Sequence, residues 1–149
     1  MKATVTAFVF YEEKMLLVFH KKLKKWMHVG GHVERDEFFS DALKREILEE
    51  TNLKVDFINT CPGLISNDIS KDIEPLPFFM QRSVGTERKL LVDYIVVARN
   101  PDSLRIQESE LEGHKWVSKE DLDAIDSFPV FLDLARKAFE FYEKIRVSK

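Results

Sequence analysis

Cysteine is nearly absent from this sequence, and that scarcity narrows the setting first. Among 149 residues there is one, Cys61, so no intramolecular disulfide framework is available and a reducing cytosol suits the chain. Long apolar runs are missing as well, since none approaches the ~20 residues needed to span a bilayer. The opening stretch "MKATVTAFVFYEEK" reaches Glu12 and Glu13 before signal-peptide length and alternates like a strand, so we expect no targeting segment and a cytoplasmic location. Neither sign of charge dominates. Lys and Arg number 23 against 26 Asp and Glu, for a formal charge of -3, which offers no bulk attraction to a nucleic acid polymer or an anionic membrane. There is no internal repeat, low-complexity tract or obvious linker, and a single domain over residues 1–149 is expected.

What is present describes a globular chain. Hydrophobic residues at 44% and charged residues at 33% suit a folded domain rather than a disordered tail. Residues 3–10 ("ATVTAFVF") and 15–19 ("MLLVF") are β-branched and aromatic, and the polar "YEEK" between them predicts a hairpin. "HKKLKKW" at 20–26 reads as a basic, exposed connection, and Gly30-Gly31 then opens a loop. From Phe38 to Thr51 the apolar residues Ala42, Leu43 and Ile47 recur at helical spacing. Phe38 and Phe39 stand where a capping Ser or Thr would help, whereas Asn52 suits a left-handed C-cap. Strands are predicted at 53–59, 63–66, 78–84, 89–98 and 114–117. A helix beginning at "SKEDL" would be capped by Ser118 with Asp121 in third place. A last helix, 128–145, carries Phe131, Ala135, Ala138, Phe139, Tyr142 and Ile145 on one face. The order of elements predicts an α/β fold, a mixed sandwich rather than a regular parallel βαβ array.

The chemistry concentrates in the first helix. Positions i, i+3 and i+4 share a face, so Glu46, Glu49 and Glu50 point the same way. Like charges at that spacing cost roughly 0.2–0.5 kcal/mol per pair on an exposed helix, and more where water is excluded. Arg45, four residues before Glu49, offsets only part of this. A solvated acidic face would account for the three glutamates equally well. The other account is a bound divalent ion. Carboxylates without Cys or convergent His favour hard, oxygen-seeking Mg²⁺ first and Mn²⁺ next, and Mg²⁺ on one or two carboxylates commonly shares its shell with substrate phosphates.

The wider segment decides between them. Gly31, five residues, Glu37, seven residues, then Arg45-Glu46-Ile47-Leu48-Glu49-Glu50-Thr51-Asn52-Leu53 resembles the Nudix box, G-x5-E-x7-R-E-U-x-E-E-x-G-U with U a bulky aliphatic residue. The one departure is Asn52 in place of the last glycine, at a position that asks for a left-handed backbone rather than a reactive group. A hairpin before the box and strands after it extend the resemblance over most of the chain. The resemblance implies a Nudix-type α/β/α sandwich, with a mixed central sheet between the box loop-helix and a C-terminal helix. It also implies a Mg²⁺-dependent pyrophosphohydrolase, in which metal-activated water attacks a nucleoside diphosphate linked to another group.

Residue by residue, the resemblance makes Glu46, Glu49 and Glu50 the metal ligands, with the backbone carbonyl of Gly30 completing the shell. Arg45 would orient a neighbouring carboxylate, so Glu49, Glu46 and Arg45 form the expected catalytic set. Gly31 and Glu37 become structural residues of the box, Glu37 by pairing with Arg45. In this family the general base sits either in the box or in a later loop, and Glu108, Glu110 and Glu112 before Trp116 are later candidates, with Glu110 and Glu112 ahead. His28 and His32 lack a zinc-site context and are expected in structural or substrate-edge roles. The lysines at 21, 22, 24 and 25 read as a solvated connection. The expected partner is a small nucleoside diphosphate derivative, with no membrane and no nucleic acid polymer; homodimers are common in the family and no sequence feature decides for or against one.

Two other functions suit the residues less well. An isopentenyl diphosphate isomerase shares the fold but needs a cysteine before the box, and Cys61 follows it. Non-catalytic nucleotide-binding modules of the family typically lose box glutamates, which are all present here.

Overall fold

The computed structural model describes residues 1–58 and 73–147; Cys61 and the strand expected at 63–66 lie outside them. Among the described residues eight strands form one mixed sheet: β1 (Lys2–Tyr11), β2 (Lys14–His20), β3 (Lys25–Met27), β4 (Val29–His32), β5 (Val55–Phe57), β6 (Phe79–Ser83), β7 (Lys89–Ala98) and β8 (Leu111–Val117). Helix α1 spans Phe39–Thr51 and α2 spans Pro129–Val147, with short 3₁₀ turns at Pro101–Ser103 and Glu120–Ala124.

β1 organises the molecule because both of its faces are covered. Val5, Ala7 and Val9 point to one side, where they pack with Ala42, Leu43 and Ile47 of α1. Phe8 and Phe10 point to the other, against Phe131, Ala135, Phe139 and Tyr142 of α2. A strand buried on both faces reads as a continuous apolar run rather than an alternation, which is why "AFVF" has no polar break. β1 runs parallel to β7 along nearly its whole length, from Lys2 opposite Lys89 to Phe10 opposite Val97.

On its other edge β1 meets β2 only at the hairpin end, through Phe10–Met15 and Tyr11–Lys14. The two strands then part. β3 continues along β2, with Val18 opposite Met27, while β4 continues along β1, with Thr6 opposite Gly30 and Thr4 opposite His32. Residues 25–32 thus cross from one strand to the other, which delivers Gly30 and Gly31 to the middle of the sheet just before α1. The expectation that residues 20–26 form an exposed connection is corrected here. Trp26 lies in β3, half-buried, because it pairs with Phe19 of β2 and their rings meet edge-on at 5.3 Å.

The cap of α1 also differs from a local one. Phe38, its N-cap residue, offers no side-chain bond; instead the Ser40 N–H donates to Glu74 Oε1 at 2.8 Å, a cap supplied by a distant residue. At the other end Asn52 takes the left-handed conformation (φ 60°, ψ 17°), and its N–H closes on the Leu48 carbonyl at 2.9 Å. Ser118 and Asp121 do form a reciprocal capping box, although the segment they start is a 3₁₀ turn rather than an α-helix. Among the described residues no helix is long and apolar enough to cross a membrane.

Candidate active site

The loop between β4 and α1 is held by one cation. Arg45, in the second turn of α1, donates from Nε to Glu37 Oε2 at 2.8 Å and from Nη2 to Glu37 Oε1 at 3.0 Å. This is a bidentate pair of the kind that fixes orientation as well as charge. Nη2 also donates to the His32 carbonyl at 3.1 Å, and Nη1 to Glu46 Oε1 at 2.9 Å. Nη1 reaches Glu49 Oε1 at 3.5 Å. Glu37 completes the loop by accepting the Glu34 N–H at 3.0 Å, and its hydrogen bonds with Arg45 draw its pKa down to about 2. Glu37 does pair with Arg45 across the loop, as the family pattern suggests.

The three helix carboxylates sit at three depths. Glu50 is 3% exposed; its Oε1 accepts the backbone N–H of Gly30 at 2.9 Å. Burial lifts its pKa to about 7, with the nearby charges of Glu46, Glu110 and Glu49 adding to the rise. Glu46 is partly buried and is raised as well, first by burial, against the opposing pull of Arg45. Glu49 is the most exposed, with 54% of its side chain open. The glycines make room for this. A Cβ on Gly31 would overlap the Glu46 carboxylate, and one on Gly30 would overlap the Val5 carbonyl and the Thr6 backbone. Gly30 therefore permits the close strand pairing, and Gly31 permits the carboxylate.

The loop before β8 closes the site from the other side. Gln107 N–H donates to the Glu50 carbonyl at 2.8 Å and Arg105 N–H to the Thr51 carbonyl at 2.9 Å, satisfying the end of α1 that has no intrahelical partners. That fastening brings Glu110 within electrostatic range of both Glu46 and Glu50. Glu112 goes elsewhere. It lies within β8 rather than in the loop, and its carboxylate pairs with Lys24 at 3.5 Å. Lys21 donates to the Glu108 carbonyl and Lys25 pairs with Asp126 at 2.8 Å, so three of the four expected basic residues make contacts within the fold. His32 turns to Thr4 Oγ1 at 3.3 Å.

Oxygen donors, a buried carboxylate met among the described residues by one backbone N–H, and one guanidinium among several acids suit a hard divalent cation. The shell is not preformed. Among the described residues no group of three or more His, Cys, Asp or Glu side chains is placed to hold a metal ion, because Glu46 is drawn onto Arg45 and Glu50 onto Gly30. The fit rests on donor chemistry and unbalanced charge, and ligation would require side-chain rotation.

The NUDIX domain pattern matches residues 1–141. The chain belongs to the Nudix family, and it is a hydrolase of diphosphate bonds. It is 28% identical over 119 residues to the RNA pyrophosphohydrolase of Pelagibacter ubique, covering 77% of this chain and 75% of that protein. Over 109 residues it is 32% identical to the m7GpppN-mRNA hydrolase NUDT17 of Danio rerio, covering 68% of this chain but 34% of that longer protein. A hydrolase of the NUDIX family from Clostridium perfringens superposes with a TM-score of 0.78 at 26% identity, over 94% of this chain and 97% of that one. The expected mixed α/β Nudix sandwich is therefore the observed fold.

Sequence reasoning did not find Glu74 as the cap of α1, the fastening of α1 by Gln107, or a polar cluster of Thr6, His28 and Asp93 on the opposite face of the sheet. The first two are long-range hydrogen bonds, one to a side chain and one between backbone groups, that leave no local pattern. The third did leave a signal: Asp93 is a lone acid inside "KLLVDYIVVA", a strand whose other residues after Lys89 are aliphatic or aromatic.

Proposed function

We propose that the chain is a Mg²⁺-dependent pyrophosphohydrolase acting on a small nucleoside diphosphate derivative, with Mn²⁺ as a substitute ion. The ion would be held by Glu46, Glu49, Glu50 and the carbonyl of Gly30, where it supplies Lewis-acid polarisation of phosphoryl oxygens and lowers the pKa of water. The single observation that carries this reading is Glu50, a buried carboxylate with an N–H for a partner and with Glu46, Glu49 and Glu110 around it. Such a site gains from a cation and loses without one.

The residues of the chain divide the remaining work. Arg45 keeps Glu46 and the loop in place through Glu37. Glu46 and Glu50 lie closest to the glycine backbone, where a diphosphate would meet them. Glu110 is the better candidate for general base, since it influences both of those carboxylates, while Glu112 is engaged with Lys24. A reducing, cytoplasmic location accompanies this reading, on the strength of the single cysteine.

Two relatives named for RNA ends, an RNA pyrophosphohydrolase and an mRNA cap hydrolase, favour a second reading in which the diphosphate belongs to an RNA 5′ terminus. Purified protein with Mg²⁺ should be assayed on nucleoside triphosphates, ADP-ribose, sugar nucleotides, dinucleoside polyphosphates, and triphosphorylated and capped RNA, by phosphate release and product chromatography. We expect turnover of a small nucleotide, and a fall of about 10²–10³-fold or more in Glu50→Gln, the scale of losing one preorganised electrostatic contact. Near-full activity in that variant would sink the metal assignment, and turnover confined to RNA would favour the second reading.

A further inference from the structure

Strand β2 ends in an imidazole on the side of the sheet that carries the helix carboxylates. Leu16 and Val18 of β2 pack into the core beneath α1, and alternation along a strand puts His20 on the same face. Phe19 faces the other way, its ring against Trp26 at 5.3 Å. Where a third aliphatic residue would continue the row, the chain has a half-buried histidine. The ladder with β8 shifts register here, so that Phe19 lies opposite Gly113 and His20 opposite Leu111. Glu112 is thus the extra residue of a bulge, a device that re-aims side chains beside functional sites. The bulge separates two acids. Glu112 turns to Lys24, while Glu110 stays beside the end of β2, its carbonyl accepting the Lys21 N–H at 3.0 Å.

Glu110 therefore stands between two groups. Its charge reaches Glu46 and Glu50 on one side and His20 on the other. The other charged side chains around the end of β2 are turned elsewhere. Lys25, opposite His20 on β3, pairs with Asp126. In the turn that follows β2, Lys21 donates to the Glu108 carbonyl, Lys24 pairs with Glu112, and Lys22 is exposed. His28, where β3 passes into β4, has its ring on Asp93. Burial draws the His20 pKa below its ordinary value; the His28 backbone and the charge of Glu110 pull it up, and the His28 ring adds to the fall. The ring is mostly neutral near pH 7 and keeps a lone pair on one nitrogen.

A carboxylate that takes a proton from water has to pass it on before it can act again. An imidazole ordinarily holds a proton about 2 pH units more tightly than a carboxylate, so a neutral ring draws the proton from a neighbouring carboxyl. We propose that His20 is a positioning residue for the hydrolysis: held by the His28 backbone, it turns a ring nitrogen to Glu110 and takes on the proton that Glu110 removes from the attacking water. The inference rests on the reaction proposed above, with Glu110 as its base. In the step, the water oxygen bonds to phosphorus as one of its protons passes to Glu110, and the P–O bond to the leaving phosphate breaks with its electron pair. The proton then moves from the Glu110 carboxyl to the lone pair of His20. Glu110 is a carboxylate again, and the imidazolium gives its proton to solvent, which reaches the half-buried ring.

The test reads the pair first without substrate and then with it. In metal-free protein the titration of the His20 ring is followed by NMR. Glu110→Gln removes the charge that favours the protonated ring, so that titration should move to lower pH by about half a unit or more, the size of a screened contact between unit charges. With Mg²⁺ and the best substrate of the panel, His20→Gln keeps a hydrogen-bonding side chain that cannot take the proton. It should lower kcat by about tenfold or more with KM within about twofold, and lose the fall in kcat that wild type shows as the imidazole is protonated at acid pH. In His20→Ala, added free imidazole should raise kcat with its concentration, whereas Glu110→Gln should not respond. Should the His20 variants fail to fold, the titration in Glu110→Gln decides alone. Unchanged kcat in folded His20→Gln, no effect of imidazole on His20→Ala, or a His20 titration indifferent to Glu110→Gln would each overturn the proposal. Hydrolysis with an uncoupled His20 would overturn the relay and leave the reaction standing; a coupled His20 in a protein that hydrolyses nothing on the panel would overturn the reaction, and the relay with it.

Discussion

The two sides of the β1–β4 pair bury carboxylates in opposite ways. On the α2 side Asp93 is nearly inaccessible, but an imidazole and a hydroxyl meet it within the fold. On the α1 side Glu50 is as deeply buried, yet among the described residues its hydrogen-bond partner is the Gly30 N–H and the neighbouring charges are Glu46, Glu49 and Glu110. A buried charge that is hydrogen-bonded by its own fold is held in place without a ligand. One surrounded by like charges is finished only by something that arrives. Each side should therefore answer mutation with the opposite sign in stability, and that opposition can be measured.

The largest effect belongs to the α1 side, in metal-free protein. Glu50 has a folded pKa of about 7, above the ordinary carboxylate value, so the folded chain holds a proton across the window between the two that the unfolded chain has released. Stability contributed by the protonated group is present at low pH, falls as pH rises through that window, and stays lost above it. The loss amounts to about 3 kcal/mol at most. Denaturation of wild-type protein and Glu50→Gln in EDTA at pH 5 and pH 8 should show the variant gaining relative stability at the higher pH. Adding Mg²⁺ should restore wild type alone, by mass action on the folded state. A difference that does not change between the two pH values would mean that Glu50 is not the strained charge.

Much of the α1 side was legible in the sequence because its parts are adjacent in it. A helix places i, i+3 and i+4 together whatever the rest of the chain does, so Glu46, Glu49 and Glu50 declare a shared face, and Asn52 declares the end of the helix. The pairing of Glu37 with Arg45 came from the family pattern and not from local geometry. The α2 side was illegible for a matching reason. Thr6, His28 and Asp93 are brought together by strand pairing over separations of 65 and 87 residues, and no periodicity reports such register. Glu112 shows the remaining ambiguity: it stands two residues from Glu110 in the sequence, but the start of β8 turns it to Lys24.

The next contrast lies within two adjacent glycines. A Cβ on Gly31 meets the end of a flexible Glu46 side chain, whereas on Gly30 it meets backbone of β1. Gly31→Ala should fold with a melting temperature near that of wild type, and displacement of the Glu46 carboxylate should lower kcat/KM by about 10–100-fold, the range expected when a reacting group is misplaced by about 1 Å. Gly30→Ala should instead lose about 1–3 kcal/mol of stability by overpacking. If both variants lost stability alike and neither lost activity in its folded fraction, Gly31 would be a strand residue and not the room that the site requires.

The smallest expected effect probes the α2 side, where the fold supplies the partners. Thr6→Val keeps the branched shape that a strand favours but removes the hydroxyl that donates to Asp93, leaving His28 as the remaining donor to Oδ1. A buried acceptor deprived of a partner costs about 1–3 kcal/mol, so urea denaturation in EDTA at pH 8 should show the variant destabilised by that amount, where Glu50→Gln is stabilised. The opposite signs come from the same kind of side chain at the same depth, and they differ only in what stands next to it. If Thr6→Val were neutral, Asp93 would be satisfied without the hydroxyl, and the α2 cluster would be less complete than its hydrogen bonds indicate.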